Sequence, residues 1–442
     1  MSELPAQFIE NMRRMMPEEE FPAFLRSFDA PCARAVRSRL GSDTFPPDAE
    51  DAVPWCEAGR YLPPSSDAGA SVLHDAGAWY LQEASAMVPA QVLAPRPGEK
   101  VLDLCAAPGG KSTQLAMLMQ NEGLLVANEI VPSRAKILSS NIERMGCTNT
   151  IVTNAAPQQL SRVWPSLFDR ILVDAPCSGE GMFRRHPEAR AEWNEDSPSL
   201  CAERQLSILD HAARMLRPGG RLVYSTCTFN DLENEGTVQA FLTAHPEFSL
   251  VPFSLPGLQA CQGYLHIWPH QARGEGHFCA LFEKSVDTES VPVREAALPR
   301  PAKAEQPICD AFLRENIAVP VRADALFMGR AVRLPSFVPV LDGVRVLRLG
   351  LHLGEIKGKL FFPDHALAMA LPCIRRFDVT EEQAVCYLRG EVINADVPFS
   401  GFCAPVYKGF QLGFGKASDG QIKNHYPKGL RRDLTQMKAR NG

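Results

Sequence analysis

The feature that most constrains the fold is a regular alternation of short apolar runs with helix-compatible stretches between residues 81 and 284. Strands that alternate with helices form a parallel sheet with helices on both faces. The runs are almost continuously apolar, which is typical of strands buried on both sides. We therefore predict an α/β fold built on a Rossmann-like, doubly wound sheet. The predicted strands cover residues 100–104, 124–127, 150–153, 169–175, 221–226 and 277–283.

The regions that flank this sheet differ from it in composition. Within residues 1–80, a first part with apolar side chains at helical spacing is followed by a part rich in Pro, Gly, Ser and Asp. This pattern predicts a helical and irregular arm. Residues 285–308 contain four prolines among charged and small residues, which predicts a linker. We expect the rest of the chain to pack separately, as an α+β middle domain over 309–380 and a basic domain over 381–442.

The basic domain has its own local signals. A helix is predicted near residues 381–389, and a hairpin over 402–416 is predicted to turn at Lys408 and Gly409. Residues 401–442 carry a net charge of +6, whereas residues 1–400 carry −11. A basic block on an acidic body is typical of a nucleic-acid-binding surface, although an ordinary solvated surface has the same composition. The candidate contacts are Lys423, Lys428, Arg431 and Arg432.

Composition argues against several classes of protein. The start of the chain lacks the pattern of a signal peptide, and no run approaches the roughly 18 apolar residues of a membrane span. The 13 cysteines are an odd number without a C-x-x-C pair, which indicates free thiols in a reducing, cytoplasmic compartment. One cluster, formed by His266, His270, His277 and Cys279, has no structural zinc spacing. We interpret it as packing residues and expect no metal.

A glycine-containing loop follows the first predicted strand. Small residues let backbone amides approach a ligand, and the helix N-terminus behind them favours negative charge. Gly110-Lys111-Ser112 also matches the end of a P-loop, but that motif requires a glycine at the position of Cys105, so nucleotide hydrolysis is disfavoured. The loop residues are Cys105, Ala106, Ala107, Pro108, Gly109, Gly110 and Lys111.

The second predicted strand ends at Asn128 and Glu129, nineteen residues beyond Gly110. A carboxylate at this place accepts hydrogen bonds from a ribose diol, which indicates a nucleoside-like ligand, although a single Glu there is also a common helix cap. Arg134, five residues on, either fixes the Glu129 carboxylate or is a solvated helix residue.

Two cysteines follow the fourth and fifth predicted strands. Cys177 ends the run Asp174-Ala175-Pro176-Cys177, and Cys227 follows Ser225 and Thr226. In the doubly wound order these strands are neighbours about 4.8 Å apart, and open α/β sheets bind ligands at the strands' carboxyl ends. Most free cysteines are simply buried in a core. The location of this pair instead predicts that both thiols reach one substrate.

These motifs resemble the S-adenosylmethionine-dependent RNA cytosine-C5 methyltransferases. The glycine loop, Asp174-Ala-Pro-Cys177 and Ser225-Thr-Cys227 occur in the order typical of that family. Further segments are similar to its bacterial branch, which modifies ribosomal RNA and has a C-terminal PUA-like RNA-binding region. Those segments are residues 53–56, 181–184, 268–270, 274–278 and 424–431.

The resemblance implies a role for each matching residue. Cys227 is implied to be the nucleophile that adds to C6 of cytosine, and Cys177 is implied to act in product release. Lys111 is expected to stabilise the thiolate form of the nucleophile. Asp174 is expected to hydrogen-bond the base edge and to help to hold the cofactor. The implied cofactor is S-adenosylmethionine, which residues 105–111 and Glu129 hold.

Two positions depart from the family pattern. No carboxylate follows the third strand, where Asn154 stands instead, and Arg37-Ser38-Arg39 replaces an Arg-x-Asn pattern, which puts substrate contacts by this segment in doubt. The implied partner is ribosomal RNA, within a partly or fully assembled small subunit. The alternative is a noncatalytic RNA-binding assembly factor on a methyltransferase fold, and the intact cysteine pair disfavours it.

Overall fold

The computed structural model describes residues 4–432. The N-terminal arm contains two helices, a four-stranded antiparallel sheet and one short helix. Its elements are α1 (Ala6–Met15), α2 (Phe21–Ser27), β1 (Arg34–Ser38), β2 (Ala52–Val53), β3 (Cys56–Leu62), α3 (Val72–Asp75) and β4 (Trp79–Leu81). Strand β3 lies in the stretch predicted to be irregular. A glycine is needed at position 59 of this strand because a Cβ there would lie 3.0 Å from the Cys56 carbonyl oxygen.

The central domain is a mixed sheet with helices on both faces. The elements up to the fourth parallel strand are α4 (Val88–Leu93), β5 (Lys100–Asp103), α5 (Gly110–Leu118), β6 (Leu124–Asn128), α6 (Pro132–Arg144), β7 (Thr150–Thr153), α7 (Pro157–Val163) and β8 (Phe168–Asp174). The remaining elements are α8 (Pro187–Glu192), α9 (Ser197–Met215), β9 (Leu216–Thr226), α10 (Thr237–Ala244), β10 (Phe248–Leu250), β11 (Phe253–Leu255), β12 (Leu258–Ala260), β13 (Tyr264–Ile267) and β14 (His277–Lys284).

The strand order of the central sheet confirms the predicted doubly wound fold. The order is β10–β14–β9–β8–β5–β6–β7, with β5 to β9 parallel and β14 antiparallel to β9. Strand β8 lies between β5 and β9, as predicted for the fourth strand. The apolar runs Ile171–Val173 of β8 and Leu222–Tyr224 of β9 are fully buried, as their continuous apolar character indicated.

The C-terminal part is α+β, as predicted. Its first elements are α11 (Gln306–Asn316), β15 (Ala325–Phe327), β16 (Arg330–Arg333), β17 (Val346–Leu349), β18 (Leu351–Lys357), β19 (Leu360–Pro363) and α12 (His365–Ala370). The last elements are β20 (Arg376–Asp378), α13 (Glu381–Arg389), β21 (Ile393–Asn394), β22 (Gly401–Tyr407), β23 (Phe410–Gln411), β24 (Gly415–Ser418) and β25 (Gln421–Asn424).

Two local predictions are confirmed in this part of the chain. Helix α13 covers the predicted residues, and β22 pairs with β23 across a two-residue turn. Lys408 and Gly409 form that turn, with φ angles of 46° and 86°. Positive φ at both positions matches the twist of hairpin strands.

The expectation that everything after the linker packs separately is wrong. Strand β17 joins the central sheet antiparallel to β7, with Val346 opposite Thr153. Arg348 on β17 also forms an ion pair with Glu143 of α6. The physical reason is that β7 would otherwise be an uncovered edge strand with unpaired backbone groups. In the described part of the chain, no helix combines the length and the apolar character that crossing a membrane requires.

Candidate active site

The two strand-end cysteines lie side by side. Asp174 at the end of β8 pairs in register with Ser225 near the end of β9, which places the following loops next to each other. The sulfur atoms of Cys177 and Cys227 are 3.3 Å apart. The hydrogen bond with Cys227, together with burial, raises the pKa of the Cys177 thiol well above its ordinary value. Cys177 is therefore held as a neutral thiol beside Cys227.

Asp174 is the centre of a polar cluster next to this pair. Its carboxylate accepts hydrogen bonds from Lys111 Nζ at 2.7 Å and from Ser225 Oγ at 2.8 Å. Nε2 of His277 lies 3.5 Å from the carboxylate. Burial by itself raises the pKa of Asp174, but the Lys111 charge and His277 outweigh burial and hold that pKa well below its ordinary value. Asp174 is therefore a carboxylate, and it pairs with the Lys111 ammonium.

Two buried glutamates brace the cysteine loops against each other. Glu180, in the loop after Cys177, accepts hydrogen bonds from the Thr228 hydroxyl at 2.8 Å and from the Phe229 and Asn230 amides at 2.9 Å. Glu233 accepts a hydrogen bond from the Ser178 amide at 3.0 Å, so each loop is held by a carboxylate of the other. Neither glutamate was predicted from the sequence. The only available signal was a glutamate between two glycines directly after the Cys177 motif.

The N-terminal helices pack against the same loops. Phe8 of α1 contacts Phe183 with ring centroids 5.1 Å apart, and Phe24 of α2 contacts Phe229 at 5.4 Å. Phe183 and Phe229 are buried and follow the two cysteine loops along the chain. The helical part of the arm therefore stabilises the loops from behind.

The glycine loop connects β5 to α5 beside the cluster. Gly109 has a φ of 113°, a backbone conformation that favours glycine. Gly110 begins α5, and a Cβ there would lie 3.3 Å from the Tyr80 ring. Below the loop, Asp103 accepts a hydrogen bond from Ser112 Oγ at 2.6 Å, and burial raises the pKa of Asp103 to about 7. No role for Asp103 was predicted from the sequence.

The arginines that raised doubt about substrate contacts by the arm point inward. Arg37 is fully buried and donates to Gln82 Oε1 at 2.9 Å, to Thr113 Oγ1 at 2.7 Å and to the Gly110 carbonyl at 3.2 Å. Arg39 donates to the Met369 carbonyl at 2.6 Å. Arg37 therefore supports the glycine loop from behind, and Arg39 joins the arm to the C-terminal part.

The side chains beyond the second and third strands form one connected group. Glu129 is buried, and its carboxylate accepts a hydrogen bond from the Val131 amide at 2.9 Å and lies 3.4 Å from Arg134. Arg134 also donates to the Ala107 carbonyl at 2.9 Å, so it fixes Glu129 to the glycine loop. Asn154 donates to the Glu129 carbonyl oxygen at 2.7 Å, which makes it a support of the Glu129 backbone.

Two adjoining cavities meet at the reactive residues. The larger has a volume of about 940 Å³ and lies along the glycine loop, Glu129 and the exposed side chain of Ile130. The smaller has a volume of about 300 Å³ and is lined by Tyr80, Lys111 and His277, among others. Asp174 and Cys227 line both cavities. The site can therefore hold two ligands with their reacting atoms next to Cys227.

The histidines interpreted as packing residues have different surroundings. His266 stacks on Trp268 with ring centroids 4.7 Å apart, and His270 pairs with Glu20 at 3.1 Å. His277 instead lies beside Asp174 in the smaller cavity, so the packing interpretation omitted its place in the site. Within residues 4–432, no group of three or more His, Cys, Asp or Glu side chains is arranged to hold a metal ion.

The predicted RNA contacts lie in the C-terminal domain. Lys423, Lys428 and Arg431 are exposed. Arg432 instead pairs with the buried carboxylate of Asp75 at 2.5 Å and so joins this domain to the N-terminal arm. Two further basic residues of the C-terminal region, Lys438 and Arg440, lie outside the described residues.

The sheet order, the glycine loop and the cavity at the strands' carboxyl ends define a Rossmann-like methyltransferase. A solved structure of this class, a methyltransferase homologue from Pyrococcus horikoshii, is 27% identical with a TM-score of 0.52 and covers 64% of this chain and 100% of its own. The chain belongs to the 16S rRNA methyltransferase RsmB/F family, whose model matches residues 90–283.

The matches extend over the rest of the chain. Residues 4–84 match the N-terminal domain of 16S rRNA methyltransferase RsmF, residues 312–371 match the first C-terminal domain of the RsmF rRNA methyltransferase, and residues 374–432 match the RsmF PUA domain. A ribosomal RNA small subunit methyltransferase F from Shewanella loihica is 33% identical, over 98% of this chain and 96% of its own length. The same-named protein of Erwinia tasmaniensis is 34% identical, over 97% of both chains.

Proposed function

We propose that this protein transfers a methyl group from S-adenosylmethionine to C5 of a cytidine in 16S ribosomal RNA, through a covalent bond between Cys227 and C6 of the base. Family membership supports ribosomal RNA methylation as the reaction class. The observation that carries the finer proposal is the pair of cysteine sulfurs 3.3 Å apart beside an Asp174–Lys111 ion pair. A cytidine in the smaller cavity would have its ring against these groups.

The larger cavity fits a nucleoside sulfonium ligand. Glu129 offers its carboxylate to a ribose diol, and the exposed side chain of Ile130 provides an apolar wall for an adenine. From the glycine loop, Cys105 and Ala107 line this cavity, and their small side chains let the backbone come close to a ligand. Asp174, which lines this cavity, places negative charge near a cationic donor. When it is bound, S-adenosylmethionine supplies an electrophilic methyl group.

The first proposed step activates the base. C5 of cytosine is a poor nucleophile, so the Cys227 thiolate adds to C6 and converts the ring into an enamine that attacks through C5. The Lys111 ammonium lies close enough to Cys227 to attract a negatively charged sulfur. Asp174, held as a carboxylate by Lys111 and Ser225, accepts a hydrogen bond from the exocyclic amino group of the base.

The second proposed step releases the product. After methylation, the proton on C5 must leave so that the C6–sulfur bond can break and return the thiolate to Cys227. Cys177 starts as a neutral thiol because its sulfur adjoins that of Cys227 and raises its pKa. Once the Cys227 sulfur is bonded to C6, this cause of the raised pKa is gone. Burial still raises the pKa of Cys177, and the reduced opposition lets its thiol give its proton to water. The Cys177 thiolate then accepts the C5 proton, which gives the two cysteines sequential roles.

The test is methyl transfer to a 16S ribosomal RNA transcript from S-adenosylmethionine carrying a tritiated methyl group. We expect Cys227→Ser to lose methyl transfer by about a thousandfold or more, because a hydroxyl is a far weaker nucleophile than a thiolate. Cys261→Ser is a matched control, because Cys261 is an exposed thiol away from the site. Undiminished turnover by Cys227→Ser would overturn the proposal.

Cys177→Ala tests the release step separately. We expect this variant to form the bond to C6 and to accumulate as an RNA–protein complex that survives a denaturing gel. Cys177→Ala combined with Cys227→Ser should form no such complex. If Cys177→Ala turns over at the wild-type rate without a retained band, Cys177 has no role in release.

A further inference from the structure

A third cavity continues from the smaller reactive cavity. It has a volume of about 420 Å³, and it shares Leu81, Gln82, Glu83 and Arg185 with the cavity that contains Cys227. Its remaining wall comes from the start of β1 in the N-terminal arm, including Arg34. A ligand in the reactive cavity that extends beyond a single base would therefore enter this third cavity.

The charge free to act in this cavity is positive. Arg185 donates to the Ala33 carbonyl at 2.8 Å, and Arg34 donates to the Pro64 carbonyl at 2.9 Å and the Ser66 carbonyl at 2.6 Å. Within residues 4–432, neither guanidinium has a carboxylate partner. Each arginine therefore keeps an unneutralised charge and donors beyond those already bonded.

The neighbouring carboxylate oxygens are occupied by other donors, and the two arginines outnumber Glu83, the one carboxylate in the cavity wall. Glu83 accepts hydrogen bonds from the amides of Ser85 at 3.0 Å, Ala86 at 3.0 Å and Glu275 at 3.1 Å. Glu275 is paired with Arg184 at 2.7 Å. Burial, with a contribution from Glu275, raises the pKa of the Cys32 thiol, so this residue adds no negative charge at neutral pH.

The uncharged polar group in the wall is also committed. Gln82 accepts a hydrogen bond from Arg37 at 2.9 Å and donates to Gln114 at 2.9 Å and to the Ala86 carbonyl at 3.1 Å. Gln82 therefore has little capacity left to read a base. A cavity with two free guanidinium charges and no free base-reading group suits a phosphate, whose recognition is independent of sequence.

We infer that the third cavity holds the nucleotide next to the target cytidine, and that Arg185, assisted by Arg34, binds the phosphate between the two. This inference rests on the proposed function, because it places the target base in the adjoining cavity. Arg185 would hold the RNA backbone beside the target nucleotide in place while the cytidine base lies unstacked against Cys227. The charge of this site contrasts with the net charge of −5 of the whole chain.

The first test compares Arg185→Gln with the wild type for binding to a 16S ribosomal RNA transcript over a range of salt concentrations. We expect affinity to fall by about tenfold, because a charge-assisted hydrogen bond to phosphate is lost. The slope of log affinity against log salt should fall by about 0.7 to 0.9, the contribution of one phosphate contact. Arg185→Lys should restore most of the slope. Arg96→Gln is the control, because Arg96 is exposed and outside the cavity.

The second test locates the phosphate. The methylated cytidine is first mapped with the wild type by bisulfite sequencing, and short RNAs are then made with one uncharged methylphosphonate linkage on either side of it. One of the two substitutions should weaken wild-type binding about tenfold and leave Arg185→Gln binding unchanged. If both proteins lose affinity equally at each linkage, Arg185 does not bind that phosphate and the inference is wrong.

The outcomes separate this inference from the proposed function. Absence of methyl transfer by the wild type would remove the proposed function itself. Methyl transfer by the wild type with an unchanged salt slope for Arg185→Gln would remove only the phosphate site. A lower melting temperature for Arg185→Gln with an unchanged salt slope would show that Arg185 only anchors Ala33.

Discussion

The strand-end site and the C-terminal basic surface use charge in different ways. At the site, Asp174 contacts Lys111, Ser225 and His277, and Glu180 accepts three hydrogen bonds from one loop. On the C-terminal surface, Lys423 and Lys428 are exposed. Charges that act on a bond being made need a fixed position, whereas charges that follow a phosphate backbone work from the solvent side.

Arg432 shows that position in the sequence does not decide which kind of charge a residue carries. It belongs to the basic end of the chain, yet it pairs with buried Asp75 of the N-terminal arm. Its charge is fixed in the way that the charges of the site are. We therefore expect fixed charges to affect activity or stability when they are removed, and the exposed charges of the C-terminal basic surface to affect RNA affinity alone.

The largest expected effect is at Asp174. Asp174→Asn removes the carboxylate that we propose contacts the base edge, and it leaves the Lys111 ammonium without its ion-pair partner. We expect kcat to fall by about a hundredfold to a thousandfold, as for the loss of one preorganised electrostatic contact. Tritiated-methyl transfer at saturating RNA measures it. Asp231→Asn is the control, because Asp231 is exposed, and a similar loss in that variant would contradict the assignment.

The second-largest expected effect is at Glu180. Glu180→Ala leaves the Thr228 hydroxyl and the Phe229 and Asn230 amides without their acceptor, which frees the loop after Cys227. We expect kcat to fall about tenfold to a hundredfold and unfolding free energy to fall by about 1–3 kcal/mol. Single-turnover kinetics and thermal unfolding measure the two effects. Glu203→Ala is the control variant, because Glu203 is exposed. Equal kinetics for both variants would contradict the role of Glu180 in holding the loop after Cys227.

Asp103 should make stability depend on pH in the unliganded protein. Burial raises its pKa from 3.8 to about 7, so the folded state disfavours the charged form. The resulting penalty is absent below about pH 4, grows as pH rises and is complete above about pH 7. Asp103→Asn should therefore gain stability relative to wild type with rising pH, by at most about 4 kcal/mol. Denaturant unfolding between pH 4 and pH 8 measures this, and a pH-independent difference would contradict it.

A smaller effect is expected at Arg432, the residue of the basic C-terminal region whose charge is fixed by an ion pair. Arg432→Ala leaves the buried Asp75 carboxylate without its ion pair. We expect a loss of about 1–2 kcal/mol of stability, less than for a fully buried pair because Arg432 is partly exposed. The salt dependence of RNA binding should stay at its wild-type slope. A changed slope with unchanged stability would move Arg432 into the RNA-binding group.

Replacing Lys423 and Lys428 together by Ala should give the smallest effect on the protein itself. We expect the melting temperature to stay within the scatter of surface substitutions. RNA affinity should fall severalfold, with a salt slope reduced by about 1.4 to 1.8 if both bind phosphates. Unchanged affinity at every salt concentration would show that these lysines are ordinary surface.

The sequence was sufficient to predict the sheet and the convergence of its loops. The continuous apolar runs and the doubly wound strand order placed Cys177 and Cys227 at adjacent strand ends, and the structure has that order. The parts that were missed depend on contacts between distant segments. Strand β17 carries no signal that it covers β7, and Glu180 becomes a brace only when two loops meet.

His277 and Arg37 illustrate the same limit at the level of single side chains. His277 was assigned to packing because its sequence neighbours form no metal-binding pattern, yet the antiparallel pairing of β14 with β9 brings it to Asp174. Arg37 raised a question about substrate contacts, and its side chain is instead buried behind Gly110. The direction of each side chain and the neighbours of its strand determine what it contacts, and the local sequence pattern contains neither kind of information.

The most direct test of the account is to identify the residue that bonds to the RNA. Cys177→Ala is incubated with S-adenosylmethionine and 16S ribosomal RNA, the complex is digested with nuclease and protease, and the nucleotide-bearing peptide is sequenced by mass spectrometry. We predict a methylated cytidine nucleotide attached to Cys227 alone. Attachment at another residue, or methylated RNA released without any bonded peptide, would contradict the account.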